Sequence, residues 1–377
     1  MKKFAIPFLA ATALTLAACS SEEETTPQQA QDNAQPEVET LSVYTTVYPL
    51  EYFTERIGGE FVTVESVYPP GADEHTFEPS QQDMIKFADA DRLFAIGLGL
   101  ESFISSAKDT LANQQVEIVE LADFISDDML VDASADEHTE EGHSEDEHAE
   151  EGHSEDEHAE DGHSEDEHAE DGHSEDEHAE EGHSEDEHAE EGHSEDSHAG
   201  HDHGALDPHL WISPTLSVEL AKSIRNELVE ASPENEEFFN ENFAALEEDI
   251  LALDASFEEV VAEANRDTFF VSHAAFGYWV KDYGLNQVAV AGISTQDEPS
   301  QKELASLVDQ AREQQIDYIL TEQNVSSKLT DIIRSEVGAE TLPLHNLGVL
   351  TDEDIANEEN YLTLMERNIE TLRTALQ

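Results

Sequence analysis

Between Glu141 and Asp196 the decapeptide EGHSEDEHAE recurs with Glu/Asp exchanges, placing a histidine every five residues. Such a tract cannot build a core. It has no apolar side chain larger than Ala, and Gly142, Gly152, Gly162, Gly172, Gly182 and Gly192 would interrupt any helix. Five residues advance about 500° around an α-helix, so successive histidines would not share a face. The period is also too short for a solenoid repeat. Residues 136–203 therefore read as a disordered, solvated loop, and any fold must be assembled from the stretches on either side. Histidine-rich tracts bind metal by composition. On that basis His138, His143, His148, His153, His158, His163, His168, His173, His178, His183, His188, His193, His198, His201 and His203 read as auxiliary, weak metal ligands, with neighbouring carboxylates as further donors.

The tract takes 15 of the 19 histidines and leaves His75, His209, His273 and His345. A lone histidine is ordinarily a surface residue or a satisfied core residue. Here all four sit where a predicted strand or loop ends, which that reading does not explain. Neutral imidazole is the commonest protein ligand for zinc, and four would complete a closed tetrahedral site. Cys19 is the only cysteine, so intrachain disulfides and thiolate metal sites are excluded.

Lys2 and Lys3 precede an apolar run from Phe4 to Leu16, followed by Leu16-Ala17-Ala18-Cys19. The run is too short to span a bilayer and reads as an export signal, residues 1–18. Its end resembles the lipobox of bacterial lipoproteins, which implies lipid attachment at Cys19 and anchoring at the outer face of the cytoplasmic membrane, or a periplasmic location. Residues 19–39 are polar and acidic and read as a disordered tether. The net charge is -74, and none of the 16 Lys and Arg falls within 136–203 although 32 of the 90 acids do. That balance excludes binding to nucleic acid or to anionic membrane surfaces by the body of the protein.

On both sides of the tract short apolar runs alternate with amphipathic segments, the pattern of α/β units with parallel sheets. Strands are expected at Leu41–Val47, Phe61–Tyr68, Arg92–Ile96 and Val116–Val119, then at Thr268–Val271, Gln287–Ile293, Ile316–Leu320 and Thr341–Leu344. Apolar residues at Phe239, Phe243, Leu246, Ile250, Leu253, Phe257 and Val260 advance by alternating steps of 4 and 3. They form one buried stripe on a long helix after Ser232-Pro233, a stiff spine along both lobes. The fold class is therefore α/β: two lobes, each a mostly parallel sheet with flanking helices, joined by a long rigid helix, with a metal cleft between them. The lobes are expected at 40–214 (containing the loop) and 267–377, with the linking helical segment at 215–266.

His75 lies in Tyr68-Pro69-Pro70-Gly71-Ala72-Asp73-Glu74-His75-Thr76-Phe77-Glu78-Pro79, His209 in Asp207-Pro208-His209-Leu210-Trp211, and His273 in Val271-Ser272-His273-Ala274-Ala275-Phe276-Gly277. His345 lies in Leu342-Pro343-Leu344-His345-Asn346-Leu347. Ligands of open α/β sheets bind beyond the carboxyl ends of strands, and four ligands from two facing edges would converge there. Together with Gly292-Ile293-Ser294-Thr295-Gln296-Asp297-Glu298-Pro299-Ser300, these segments resemble the zinc and manganese substrate-binding proteins of bacterial ABC transporters. The resemblance runs from about Leu41 to the C-terminus, the loop apart. It implies that His75, His209 and His273 are ligands. At the position of His345 the family often has Asp.

An all-imidazole set favours Zn²⁺ over Mn²⁺, which prefers oxygen. Asp207, Glu298 and Glu322 are acids near the expected cleft that could replace or support a ligand. The resemblance implies a monomeric protein that captures Zn²⁺ outside the membrane and delivers it to a permease with a separate ATPase subunit, touching the membrane through its lipid only. A manganese-binding member of the same family, or a surface zinc buffer or adhesin, are the alternatives. A zinc hydrolase is disfavoured, because four ligands would close the position that catalytic water needs and no HExxH pair is present.

Overall fold

The computed structural model describes residues 40–133, 206–323 and 328–377. The expected leader, Cys19, the tether and the histidine-rich tract lie outside the described residues.

In the first lobe, Leu41–Thr45 (β1), Tyr48–Gly58 (α1), Val62–Ser66 (β2), Gln81–Ala88 (α2), Arg92–Ala95 (β3), Ile104–Leu111 (α3) and Glu117–Glu120 (β4) alternate along the chain. All pairings are parallel, in the order β2-β1-β3-β4. Two helices follow, Pro214–Ala231 (α4) and Glu236–Glu263 (α5). The second lobe then repeats the first lobe's plan with Thr268–His273 (β5), Gly277–Tyr283 (α6), Asn286–Ala291 (β6), Gln301–Glu313 (α7), Tyr318–Thr321 (β7), Lys328–Val337 (α8) and Glu340–Pro343 (β8). Its sheet is parallel in the order β6-β5-β7-β8, and Asp352–Ala356 (α9) and Tyr361–Ala375 (α10) complete the chain. In both sheets the strand order reverses beside the first strand, which makes the carboxyl ends of β1/β3 and β5/β7 the natural crevices.

The spine behaves as its stripe demands. Phe239, Leu246, Ile250, Leu253, Phe257 and Val260 are buried along α5, each contributing about 1.5–3 kcal/mol by leaving water. Phe243 is only half-buried, with the Arg225 guanidinium 5.0 Å from its ring centre. The helix starts later than Ser232-Pro233 suggests. Pro233–Asn235 forms a separate 3-10 turn, and the 28 residues of α5 begin at Glu236, giving about 42 Å at 1.5 Å per residue.

That length reaches both lobes. Asp249 accepts from Arg56 of α1 at 2.7 Å, while Phe257 stacks on Tyr283 of α6 with ring centres 5.2 Å apart. One hydrophobic core runs from Val43 and Phe94 of the first sheet through α5 to Phe269, Val271 and Leu320 of the second. Along β5, Phe270 points to the opposite face and packs beneath α7 and α8 in a smaller core with Ile319 and Ile333.

Each lobe also carries one copy of the same local device. Glu78-Pro79-Ser80-Gln81 opens α2 and Glu298-Pro299-Ser300-Gln301 opens α7. In both, the serine caps the helix and an acid three residues later, Asp83 or Glu303, closes a capping box. These boxes pin the ends of two equivalent loops, one after β2 and one after β6.

Candidate metal centre

His273 is the last residue of β5 and is fully buried. Its Nδ1 faces Glu322 Oε2 at 2.7 Å and its Nε2 faces the Ile293 carbonyl at 3.1 Å. Glu322, just past β7, is also held by the Ser272 hydroxyl, which donates to Oε1 at 2.8 Å. The pair thus occupies the β5/β7 crevice. The matching crevice of the first sheet is filled instead by the Glu101 carboxylate, which accepts from Thr46 Oγ1 and from the backbone N–H groups of Ile96 and Gly97. The first lobe consequently contributes from its loops.

His209 is fully buried, and Asp207 Oδ1 accepts both its backbone N–H at 2.9 Å and its Nδ1–H at 2.8 Å. This turns Nε2 toward His75, whose own Nε2 is 3.3 Å away. His75 is half-buried in the loop between β2 and α2, and its N–H donates to Asp73 Oδ1 at 3.0 Å. One ring nitrogen from each of His75, His209 and His273 lies within 4.8 Å of the others, the only such grouping of metal-binding side chains among the described residues. A carboxylate on the far nitrogen of a histidine fixes the ring and strengthens it as a metal ligand. Asp207 does this for His209 and Glu322 for His273.

Burial, together with repulsion from the other two imidazoles, pushes His75 down to about 3, so it stays neutral. Burial opposes charge on His273 as well, but the Glu322 carboxylate outweighs it and raises His273 to about 9. Both nitrogens of that ring face acceptors, which is the arrangement of an imidazolium. Glu74, buried beside His75, is raised to about 7 by burial. Sequence reasoning missed it, its only signal being adjacency to His75. Glu298 is exposed in the loop before α7, with its backbone N–H donating to Gln296.

His345 is not in this group. Its Nε2 lies 3.2 Å from Asp354 Oδ2, and its Nδ1 accepts the Leu347 N–H at 2.9 Å. The hydrogen bond from His345 holds Asp354 well below the usual carboxylate range. The left-handed turn at Leu347 (φ 60°) curls the backbone so that the neighbouring Asn346, not His345, reaches Glu74, with Nδ2 donating to Oε1 at 3.2 Å. The structure brings together three of the four expected histidines, and local hydrogen bonding turns the fourth away.

The Asp207–His209 unit is gripped by α6 of the other lobe. Tyr278 Oη donates to the Asp207 carbonyl at 2.7 Å and Trp279 Nε1 to the Ile212 carbonyl at 2.9 Å. A Cβ on Gly277 would stand 2.6 Å from Asp207 Oδ2. Gly277→Ala is therefore expected to displace that carboxylate from His209 and weaken metal binding by about 10–100-fold, the usual cost of losing an outer-shell partner. Metal titration checks this, alongside circular dichroism for the fold.

The family model ZnuA, described as the zinc-uptake complex component A, periplasmic, matches residues 43–375. The chain belongs to this family. It is a family of uptake-complex components, not of enzymes. Among its relatives, the zinc-binding lipoprotein AdcA of Streptococcus pneumoniae serotype 4 is 30% identical over 99% of this chain. This member spans only 61% of that relative's length. The high-affinity zinc uptake system protein ZnuA of Bacillus subtilis is 28% identical over 98% of this chain and 96% of its own. The solved Zn(II)-bound ZnuA-like domain of Streptococcus pneumoniae AdcA matches with a TM-score of 0.63 and 27% identity, covering 89% of this chain and 99% of that domain. Among the described residues of this family member, no helix is long and apolar enough to cross a membrane.

Proposed function

We propose that this protein captures Zn²⁺ outside the cytoplasmic membrane and hands it to an ABC permease driven by a separate ATPase subunit. The observation that carries the reading is the convergence of His75, His209 and His273, two of them oriented by buried carboxylates, in a cleft between two sheet edges. Three imidazoles suit zinc better than manganese, and Asp207 and Glu322 are engaged in holding two of the rings. The Asp207 and Glu322 carboxylates behind the rings add negative charge that favours a dication. A three-histidine set leaves one coordination position for water or a carboxylate, so site closure no longer separates this reading from a zinc hydrolase and the match to an uptake-complex component does. Export, with a lipid on Cys19 holding the body at the membrane, belongs to the same reading.

Deleting residues 136–203 should leave one tight zinc ion per chain and remove several weaker ones, as measured by calorimetry on the parent and the deletion. Loss of the tightest ion with the tract would place the principal site there, and would favour a passive zinc buffer.

A further inference from the structure

The loop carrying His75 is held across the cleft by its counterpart in the other lobe. Asp73 uses both carboxylate oxygens: Oδ1 accepts the His75 N–H at 3.0 Å and Oδ2 accepts the Thr295 hydroxyl at 2.9 Å. Thr295 sits at the tip of the loop after β6, and that loop is a firm support. Gly292 N–H donates to the Asp297 carbonyl, Asp297 N–H to the Ser294 carbonyl, and Ser294 N–H to Asp297 Oδ2. The same loop is tied to the β5 ligand, because the Gly292 carbonyl accepts from Ala274 N–H and the Ile293 carbonyl faces His273 Nε2. The Glu-Pro-Ser-Gln boxes fix the far ends of both loops. A path of hydrogen bonds therefore runs from His75 through Asp73 and Thr295 to the backbone beside His273.

The two other histidines are placed differently. His209 and His273 are fully buried and each is clamped by its own carboxylate, whereas His75 is half-buried and, among the described residues, no carboxylate bonds its ring. It is the ligand whose position depends most on its loop.

We propose that Asp73 and Thr295 form a latch that positions His75 over a metal held by His209 and His273, and so sets how long the ion is retained. The latch rests on reading the three histidines as the zinc site. Asp73 and Thr295 are positioning residues; neither is assigned to touch the metal. Thr295 is half-buried and contributes this bond through its side chain, so removing the hydroxyl leaves the loop's backbone turns intact.

The test is zinc release from the full-length protein into excess chromogenic chelator, reading the slowest phase so that ions on the histidine-rich tract leave first. Thr295→Val should release zinc about tenfold faster, the scale of losing a hydrogen bond to a charged acceptor, with association unchanged. Thr295→Ser, which keeps the hydroxyl, should restore the parent rate. Equal release from parent and Thr295→Val would overturn the latch, as would equal acceleration by Val and Ser, because Ser keeps the hydroxyl that the latch requires. A parent whose tight binding survives His75→Ala would overturn the three-histidine site itself, and that result is separate from either rate.

Discussion

Replacing His273 with alanine is expected to lower zinc affinity by well over about 100-fold, beyond the 10–100-fold cost of losing only an outer partner. Two effects combine. The second lobe loses its only imidazole in the cluster, and two imidazoles from the first lobe remain. Glu322, fully buried as a side chain, also loses the ring it pairs with at 2.7 Å. A buried charge stripped of its partner costs stability, so the metal-free variant should also melt earlier. The proper control is His345→Gln, because His345 carries equal chemical promise in the sequence. Its ring serves Asp354 and the Leu347 N–H, so this change should cost about 1 kcal/mol of stability and leave zinc affinity unchanged. Competition titrations and thermal melts of both variants give the comparison. A large loss of zinc affinity in His345→Gln would restore that residue to the ligand set.

Zinc affinity should climb with pH well above neutrality, which the ordinary histidine pKa of ~6.5 would not produce. His273 is raised to about 9, chiefly by Glu322 working against burial and with Glu74 adding to it. Zinc needs the neutral ring, so below about pH 9 each binding event must expel that proton. Apparent affinity should then fall about tenfold for each unit of pH lost, or about 100-fold from pH 8 to pH 6. His75, driven down to about 3 by burial and by its two imidazole neighbours, adds no proton competition over that range. Glu322→Gln removes the charge that raises His273 and should flatten the profile between pH 7 and 9. Calorimetry in buffers of different ionisation enthalpy counts the protons released. An affinity constant from pH 7 to 9 in the parent would mean that His273 is already neutral there.

Much of this architecture was legible in the residues. Short apolar runs mark buried strands and a three-to-four-residue period marks the buried face of a helix, and burial is what the chain must achieve. That is why the eight strands and the α5 stripe emerged with only end errors, such as the late start of α5 after Pro233–Asn235. The cluster of His75, His209 and His273 was legible too, because ligands sit where strands end and the loops around them are distinctive.

Which side chains come together was decided largely by contacts between residues far apart in the chain. The Asn346 contact with Glu74 spans 272 positions, whereas His345 is turned aside by neighbours as near as Leu347 and Asp354. The pairing of Glu322 with His273, across 49 positions, exists only once β5 and β7 lie side by side, and that of Asp73 with Thr295, across 222, only once the two lobes meet. By itself the sequence determined the elements, the two lobes and the residue types able to hold a metal. The tertiary structure decided which of those side chains meet, how each ring is turned and where its proton sits, because hydrogen-bond direction and desolvation are set by neighbours that only folding supplies.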